Sequence, residues 1–106
     1  MTVHVFILRY SGDALENMRW IPRNQHSAIH AALEQQLRHQ PQIETRNRKL
    51  LTAESEATER WELRCGTKNQ FRVIYRVDTE ESVVTILVIG VKKGNQLLVN
   101  GEEHEL

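Results

Sequence analysis

The sequence predicts an α+β domain in which two helices pack on one face of a small, mostly antiparallel twisted sheet, in the order β-α-α-β-β-β. Three observations predict it. An apolar run with β-branched residues opens the chain. Ile29, Leu33 and Leu37 stand at i, i+4, i+8 between Pro22 and Pro41. From Trp61 onward, apolar and polar residues alternate at period two. The 106 residues suit a single domain over 1–106, since one core serves roughly 100–200 residues. At 40% hydrophobic and 26% charged residues, the composition is that of a globular chain rather than a disordered one.

Each element has its own signal. Val3 to Leu8 is a short apolar run bounded by Ser11, Gly12 and Asp13, as expected of a strand covered on both faces. Ser11 or Asp13 can then cap a short helix whose apolar side is supplied by Leu15, Met18 and Trp20. Pro22 ends that helix or opens the next. The second helix carries the Ile29, Leu33, Leu37 stripe, with Ala28, Ala31 and Ala32 raising propensity. It should stop before Pro41, because the residue preceding a proline avoids the helical region.

Residues 42–60 have no clear period and read as a surface connection, with room for a helical turn over 52–59. Trp61 to Cys65 and Phe71 to Val77 alternate as strands, and Ser82 to Val91 is a longer strand rich in valine and isoleucine. Leu97, Leu98 and Val99 form a last apolar piece before Asn100-Gly101, a strong tight-turn pair.

Several function classes drop out. No apolar run approaches the roughly 18 residues needed to span a bilayer. Cys65 is the one cysteine, so no intramolecular disulfide can form, and a reducing cytoplasm is the expected compartment. The net charge is zero, yet unevenly spread. Residues 41–76 hold eight bases against five acids, and residues 77–106 hold two bases against six acids. A local positive field can therefore form in the middle of the chain.

The central hairpin concentrates that field. Alternation puts Trp61, Leu63 and Cys65 on the core face of one arm, and Phe71, Val73, Tyr75 and Val77 on the core face of the other. The tightest matching register has Thr67-Lys68-Asn69 as a three-residue loop, with Asn69 suited to a left-handed conformation. Arg64 then faces Arg72, Glu62 faces Ile74, and Arg60 faces Arg76. Like charges directly opposite cost about 0.2–1 kcal/mol. A bound anion gives such pairs a reason, because guanidinium forks suit it; partial neutralisation by Glu62 on a solvated face is the plainer one. Arg46, Arg48 and Lys49 lie just upstream, and Lys68 sits in the loop. Lys92 and Lys93 end the long strand, with Lys92 sharing a face with Val84, Ile86, Val88 and Gly90.

With these residues in place, the chain resembles the RelE/ParE superfamily of bacterial type II toxins along nearly its whole length. The likeness rests on Ala14-Leu15, Ala28 to Leu37, Arg46 to Leu50, Trp61 to Arg64, Phe71 to Val77, Ile89 to Lys93 and Gly101 to Leu106. It implies a RelE-like fold and a cognate antitoxin protein as partner. In the ribonuclease branch it also implies mRNA cleavage on the ribosome. No metal or other cofactor takes part there: a base takes a 2′-hydroxyl proton, the oxygen attacks the adjacent phosphate, and cations stabilise the charge.

Carried over residue by residue, that resemblance implies Arg72 at the scissile phosphate, with Arg60, Arg64 and Lys92 as further catalytic cations. Glu62 stands where the branch normally has a lysine, which makes it a candidate base. Leu98 stands near the place of a C-terminal tyrosine. Arg46, Arg48, Lys49, Lys68, Arg76 and Lys93 are candidate nucleic-acid contacts. Those two departures give weight to two alternatives: a ParE-like toxin that inhibits DNA gyrase without cleaving, or a degenerate member that binds only its antitoxin. No membrane partner or small-molecule ligand is expected.

Other candidates carry less. His26 and His30 have the i, i+4 spacing of a zinc pair, but no acid or cysteine is spaced to complete a site. Cys65 falls on the core face, where a thiol is inert. Trp20, Trp61 and Tyr75 occupy positions that favour packing over base stacking. The glutamates at 102, 103 and 105 read as a solvated terminus.

Overall fold

The computed structural model describes residues 5–52 and 59–104. A seven-stranded sheet carries two helices on one face. The elements are β1 (Ile7–Tyr10), α1 (Gly12–Arg19), a 3-10 turn (Arg23–Gln25), α2 (His26–Leu37), β2 (Arg48–Thr52), β3 (Arg60–Cys65), β4 (Phe71–Asp78), β5 (Val83–Lys93), β6 (Gln96–Val99) and β7 (Glu102–His104). Strands β2 to β7 lie side by side in sequence order, all antiparallel, and β1 pairs β5 in parallel. The α+β class and the two helices match the expectation. The sheet has seven strands against the four expected, because the 42–60 connection contains β2, the last apolar piece forms β6 and the acidic tail contains β7.

Ser11 caps α1, accepting from the Ala14 N–H at 3.0 Å. Ala14 and Met18 are buried, whereas Leu15 and Trp20 are 56% and 60% exposed. Trp20 follows the last residue of α1 and lies against Gly101 at the β6–β7 turn. The apolar side of α1 is therefore narrower than the sequence suggests, and Trp20 is not a core residue. Ile29, Leu33 and Leu37 of α2 are all buried, as expected of that stripe.

The first strand is displaced and half open. Its described part starts at Ile7, which is 66% exposed, while Phe6 is buried. Residues 1–4, where the expected strand begins, and 53–58 of the expected connection lie outside the described residues.

The core face of the hairpin holds as expected: Trp61, Leu63, Cys65, Phe71, Val73, Tyr75 and Val77 are all buried. Trp61 and Tyr75 stack at 6.2 Å, and the Tyr75 hydroxyl donates to the Pro41 carbonyl at 2.6 Å. Burial raises the pKa of Tyr75 above its ordinary value.

Strand β5 breaks the parity rule. Ile74 pairs Val88 while Tyr75 pairs Ile86, so Leu87 is an extra residue that opposes none on β4. Val84 and Ile86 before the bulge, and Ile89 after it, all enter the core. Val84 and Ile86 thus do not share a face with Lys92; that face beyond the bulge is Val88, Gly90 and Lys92.

The bulge falls where the outer edge of β5 changes partner, from β1 at residues 83–86 to β6 at residues 91–93. Helix α1 fills the gap. The Ser11 hydroxyl donates to the Leu87 carbonyl at 3.0 Å, and Asn17 Oδ1 accepts from the Ile89 N–H at 2.9 Å. Asn17 Nδ2 also donates to Asn100 at 2.8 Å, holding the β6–β7 turn.

Candidate active site

The expected register of the hairpin is the observed one at its centre. Arg64 stands opposite Arg72, and Glu62 opposite Ile74. The loop is a tight turn over Thr67–Asn69 with Gly66, Lys68 and Asn69 at positive φ. A Cβ on Gly66 would sit 2.5 Å from the Phe71 ring, so that position demands glycine. The second like-charge pair does not form. The β3–β4 ladder ends at Trp61 and Tyr75, and Arg60 stands opposite Thr52 while Arg76 stands opposite Thr85.

On the sheet face away from the helices, Glu62, Arg64, Arg72, Lys92, Leu97 and His104 line one cleft of about 480 Å³. Glu62 is 5% exposed and Arg72 is 8% exposed, both unusual for charged side chains. Arg64 Nε donates to Glu62 Oε1 at 3.2 Å. Arg72 Nη1 is buried with no hydrogen-bond partner among the described residues. Burial, and then the neighbouring Arg64, push the pKa of Arg72 below its ordinary value, while Glu62 and Cys65 pull it back up. A buried guanidinium nitrogen left unpaired is costly. Arg72 as a residue lines the cleft, so its positive charge borders a space that an anionic group can occupy.

Gly90 makes room for this arrangement. It stands opposite Arg72, and a Cβ there would lie 3.0 Å from Leu97 Cδ1. The bare backbone lets Leu97 floor the cleft beside the guanidinium. Leu97 in turn pairs with His104 across β6 and β7. The Asn100-Gly101 turn, with φ of 54° and 76° at its two residues, brings β7 back alongside and delivers an imidazole to the site.

His104 is a site residue that the sequence reading misses, although its signal is present. Pairing across the two-residue Asn100-Gly101 turn sets it opposite Leu97, which stands opposite Lys92, and so places it on the face of Lys92. Leu98, near the place of the expected aromatic, lies on the other side of β6. It lines a small apolar cavity with Trp20, Ile89 and Val91.

The remaining expected residues divide. Lys68 lines a second cleft of about 700 Å³, which meets the first at Arg72 and Lys92. Lys49 is exposed and stands opposite Glu62 at the rim of the same face. Arg46 and Arg76 are exposed, Arg60 is half-buried, and none of the three lines either cleft. Lys93 lies beside the Trp20 cavity.

Arg48, expected as a nucleic-acid contact, is placed away from both clefts. It is 7% exposed, opposite Leu63 on the core face, and its Nη1 donates to the Gln36 carbonyl at 2.5 Å. Its guanidinium ties β2 to the end of α2.

Cys65 is buried, and burial pushes its thiol up to about 11 despite the opposing pull of Arg72. Such a thiol is not an activated nucleophile. His26 Nε2 is 2.9 Å from the Ile21 carbonyl and His30 Nδ1 is 2.7 Å from the Tyr10 hydroxyl, so each histidine has a local structural partner. Among the described residues, no three His, Cys, Asp or Glu side chains gather as a metal site requires, and no helix is long and apolar enough to cross a membrane.

The arrangement has the parts for phosphate chemistry: a buried carboxylate, convergent cations and an imidazole in one cleft. No family model matches the sequence, and no curated protein shows significant sequence similarity to it. Among solved structures, a chain of the RelBE2 toxin–antitoxin complex from Mycobacterium tuberculosis is similar in fold. Its TM-score is 0.63 at 23% identity, covering 83% of this chain and 99% of that one. The chain thus shares its fold with a chain of that complex.

Proposed function

We propose that this protein is the toxin of a type II toxin–antitoxin pair and that it cleaves RNA without a metal. The likeness to a chain of a toxin–antitoxin complex supports the toxin reading. Arg72, whose buried Nη1 has no partner among the described residues, lines a cleft with Glu62, Arg64, Lys92 and His104, and this supports the nuclease reading.

In this mechanism RNA lies across the cleft with its scissile phosphate against Arg72 and Lys92. Glu62, kept next to Arg64, takes the proton of the 2′-hydroxyl. The freed oxygen attacks the adjacent phosphorus, and the O5′–P bond breaks. His104 gives a proton to the departing 5′-oxygen. The products are a 2′,3′-cyclic phosphate and a 5′-hydroxyl, with the proton count balanced. Arg72 and Lys92 stabilise the charge that grows on the phosphoryl oxygens. A cognate antitoxin silences the protein, and ribosome-bound mRNA is the substrate.

The test is induced expression with mapping of RNA 5′ ends. New ends bearing 5′-hydroxyls, absent with Arg72→Ala, are expected. Growth arrest with DNA-supercoiling damage and intact RNA would instead favour the gyrase-inhibiting alternative.

A further inference from the structure

The second cleft differs in chemistry from the first. Beyond the shared Arg72 and Lys92, its lining is Gln25, Thr67, Lys68, Asn69, Gln70 and Gly94. It contains carboxamides, a hydroxyl and an amine but no carboxylate, whereas the first cleft holds Glu62 and Glu103. Its volume of about 700 Å³ falls within the roughly 300–1,000 Å³ typical of ligand sites.

Two of the carboxamides are free. The side chains of Gln25 and Gln70 have no hydrogen-bond partner among the described residues. Asn69, by contrast, reaches Asn47 at 3.4 Å. The free amides stand on fixed backbone from distant parts of the chain. Gln25 closes the 3-10 turn before α2, its N–H bonded to the Pro22 carbonyl at 2.9 Å. Gln70 is pinned on both sides: its N–H donates to Thr67 at 3.2 Å, and its carbonyl accepts from Lys92 at 2.7 Å. A planar carboxamide offers donors and an acceptor at the spacing of a base edge.

We infer that this cleft holds the base of a nucleotide flanking the scissile phosphate, in single-stranded RNA, and that Gln25 and Gln70 read its hydrogen-bonding edge. The inference rests on the nuclease reading for its substrate. A strand gripped at Arg72 and Lys92 has its phosphate where the two clefts meet. One cleft then holds the reacting ribose, and the other takes a neighbouring unstacked base. Preference for particular sequences comes from the carboxamide cleft, and chemistry from the carboxylate cleft.

Fluorescence anisotropy with 2′-O-methyl oligonucleotides tests this apart from catalysis, because the attacking hydroxyl is blocked. Each position is varied through the four bases in turn. Wild type is expected to favour one base at one position by about tenfold, in line with amide–base pairs elsewhere. Gln25→Ala and Gln70→Ala should each cut that preference to below about threefold and leave the other positions unchanged. Gln25→Glu, which loses the donors and keeps an acceptor, should change the favoured base. Equal affinity for all bases in wild type, or a uniform loss across all oligonucleotides in the variants, would overturn the inference. If wild type discriminates bases yet cuts no unblocked RNA, base reading stands and the nuclease reading falls.

Discussion

Arg64 and Arg72 face each other across β3 and β4, and among the described residues Arg64 is paired with Glu62, donating to it at 3.2 Å. Arg72 Nη1 is buried and unpartnered among the described residues. An unpaired buried charge is a burden on folding that a bound anion relieves. Arg72→Met keeps most of the stem volume and removes the charge. It should leave stability unchanged or raise it, by roughly 0–2 kcal/mol in urea unfolding, while abolishing RNA cleavage. A loss above about 2 kcal/mol would show that Arg72 holds the fold rather than a ligand.

Asn17 is the buried link between α1 and the gap in the outer edge of β5. Asn17→Ala leaves the Ile89 N–H without its acceptor and releases Asn100 from its partner. The expected cost is about 2–3 kcal/mol, read as a lower urea midpoint. Because Asn100 begins the turn that delivers His104, cleavage should fall as well.

Gly90→Ala places a methyl 3.0 Å from Leu97 Cδ1 and 3.3 Å from the Leu98 carbonyl. Leu97 must then give way. Overpacking of this kind costs about 1–3 kcal/mol. Weaker oligonucleotide binding should accompany the lower melting temperature, and unchanged binding would show that Leu97 does not shape the cleft.

Alkaline pH should weaken the fold through Cys65. In the unfolded chain the thiol ionises near its ordinary 9.0; in the folded protein burial holds the proton until about 11. Unfolding therefore releases a proton between these values, and stability present below pH 9 is lost as pH rises to 11. The loss from this group is at most roughly 2–3 kcal/mol. Tyr10, pushed up to about 12 chiefly by burial, acts in the same direction. Urea midpoints at roughly pH 7.5 and 10.5, on either side of the ordinary thiol range, check this. Cys65→Ala should shrink the difference between the two, whatever constant cavity cost it adds.

Much of this architecture is legible in the residues, and the failures have physical causes. The Ile29, Leu33, Leu37 stripe and the alternation from Trp61 to Val77 are long enough to declare their period, and both reach the core. The register that sets Arg64 against Arg72 comes from parity and a short loop. Parity fails in β5, where the extra Leu87 reverses the facing of residues 88–93 and nothing in an unbroken apolar run marks it. Strand β2 escapes notice because Arg48 and Lys49 look like a solvated loop; Arg48 instead has its guanidinium on the Gln36 carbonyl. Strand β7 escapes notice because it is short and acidic, held by pairing with β6 rather than by apolar burial. With it goes His104, the one titratable group on that hairpin that lines the clefts besides Glu103.

The most direct measurement is cleavage of RNA, on ribosomes and free, by wild type, Arg72→Ala, Glu62→Gln and His104→Ala, with the new ends chemically typed. The expected result is 2′,3′-cyclic phosphate and 5′-hydroxyl ends from wild type, reduced at least about tenfold by each substitution. Full cleavage by Arg72→Ala would contradict the central claim, that this buried guanidinium exists to hold the phosphate being cut.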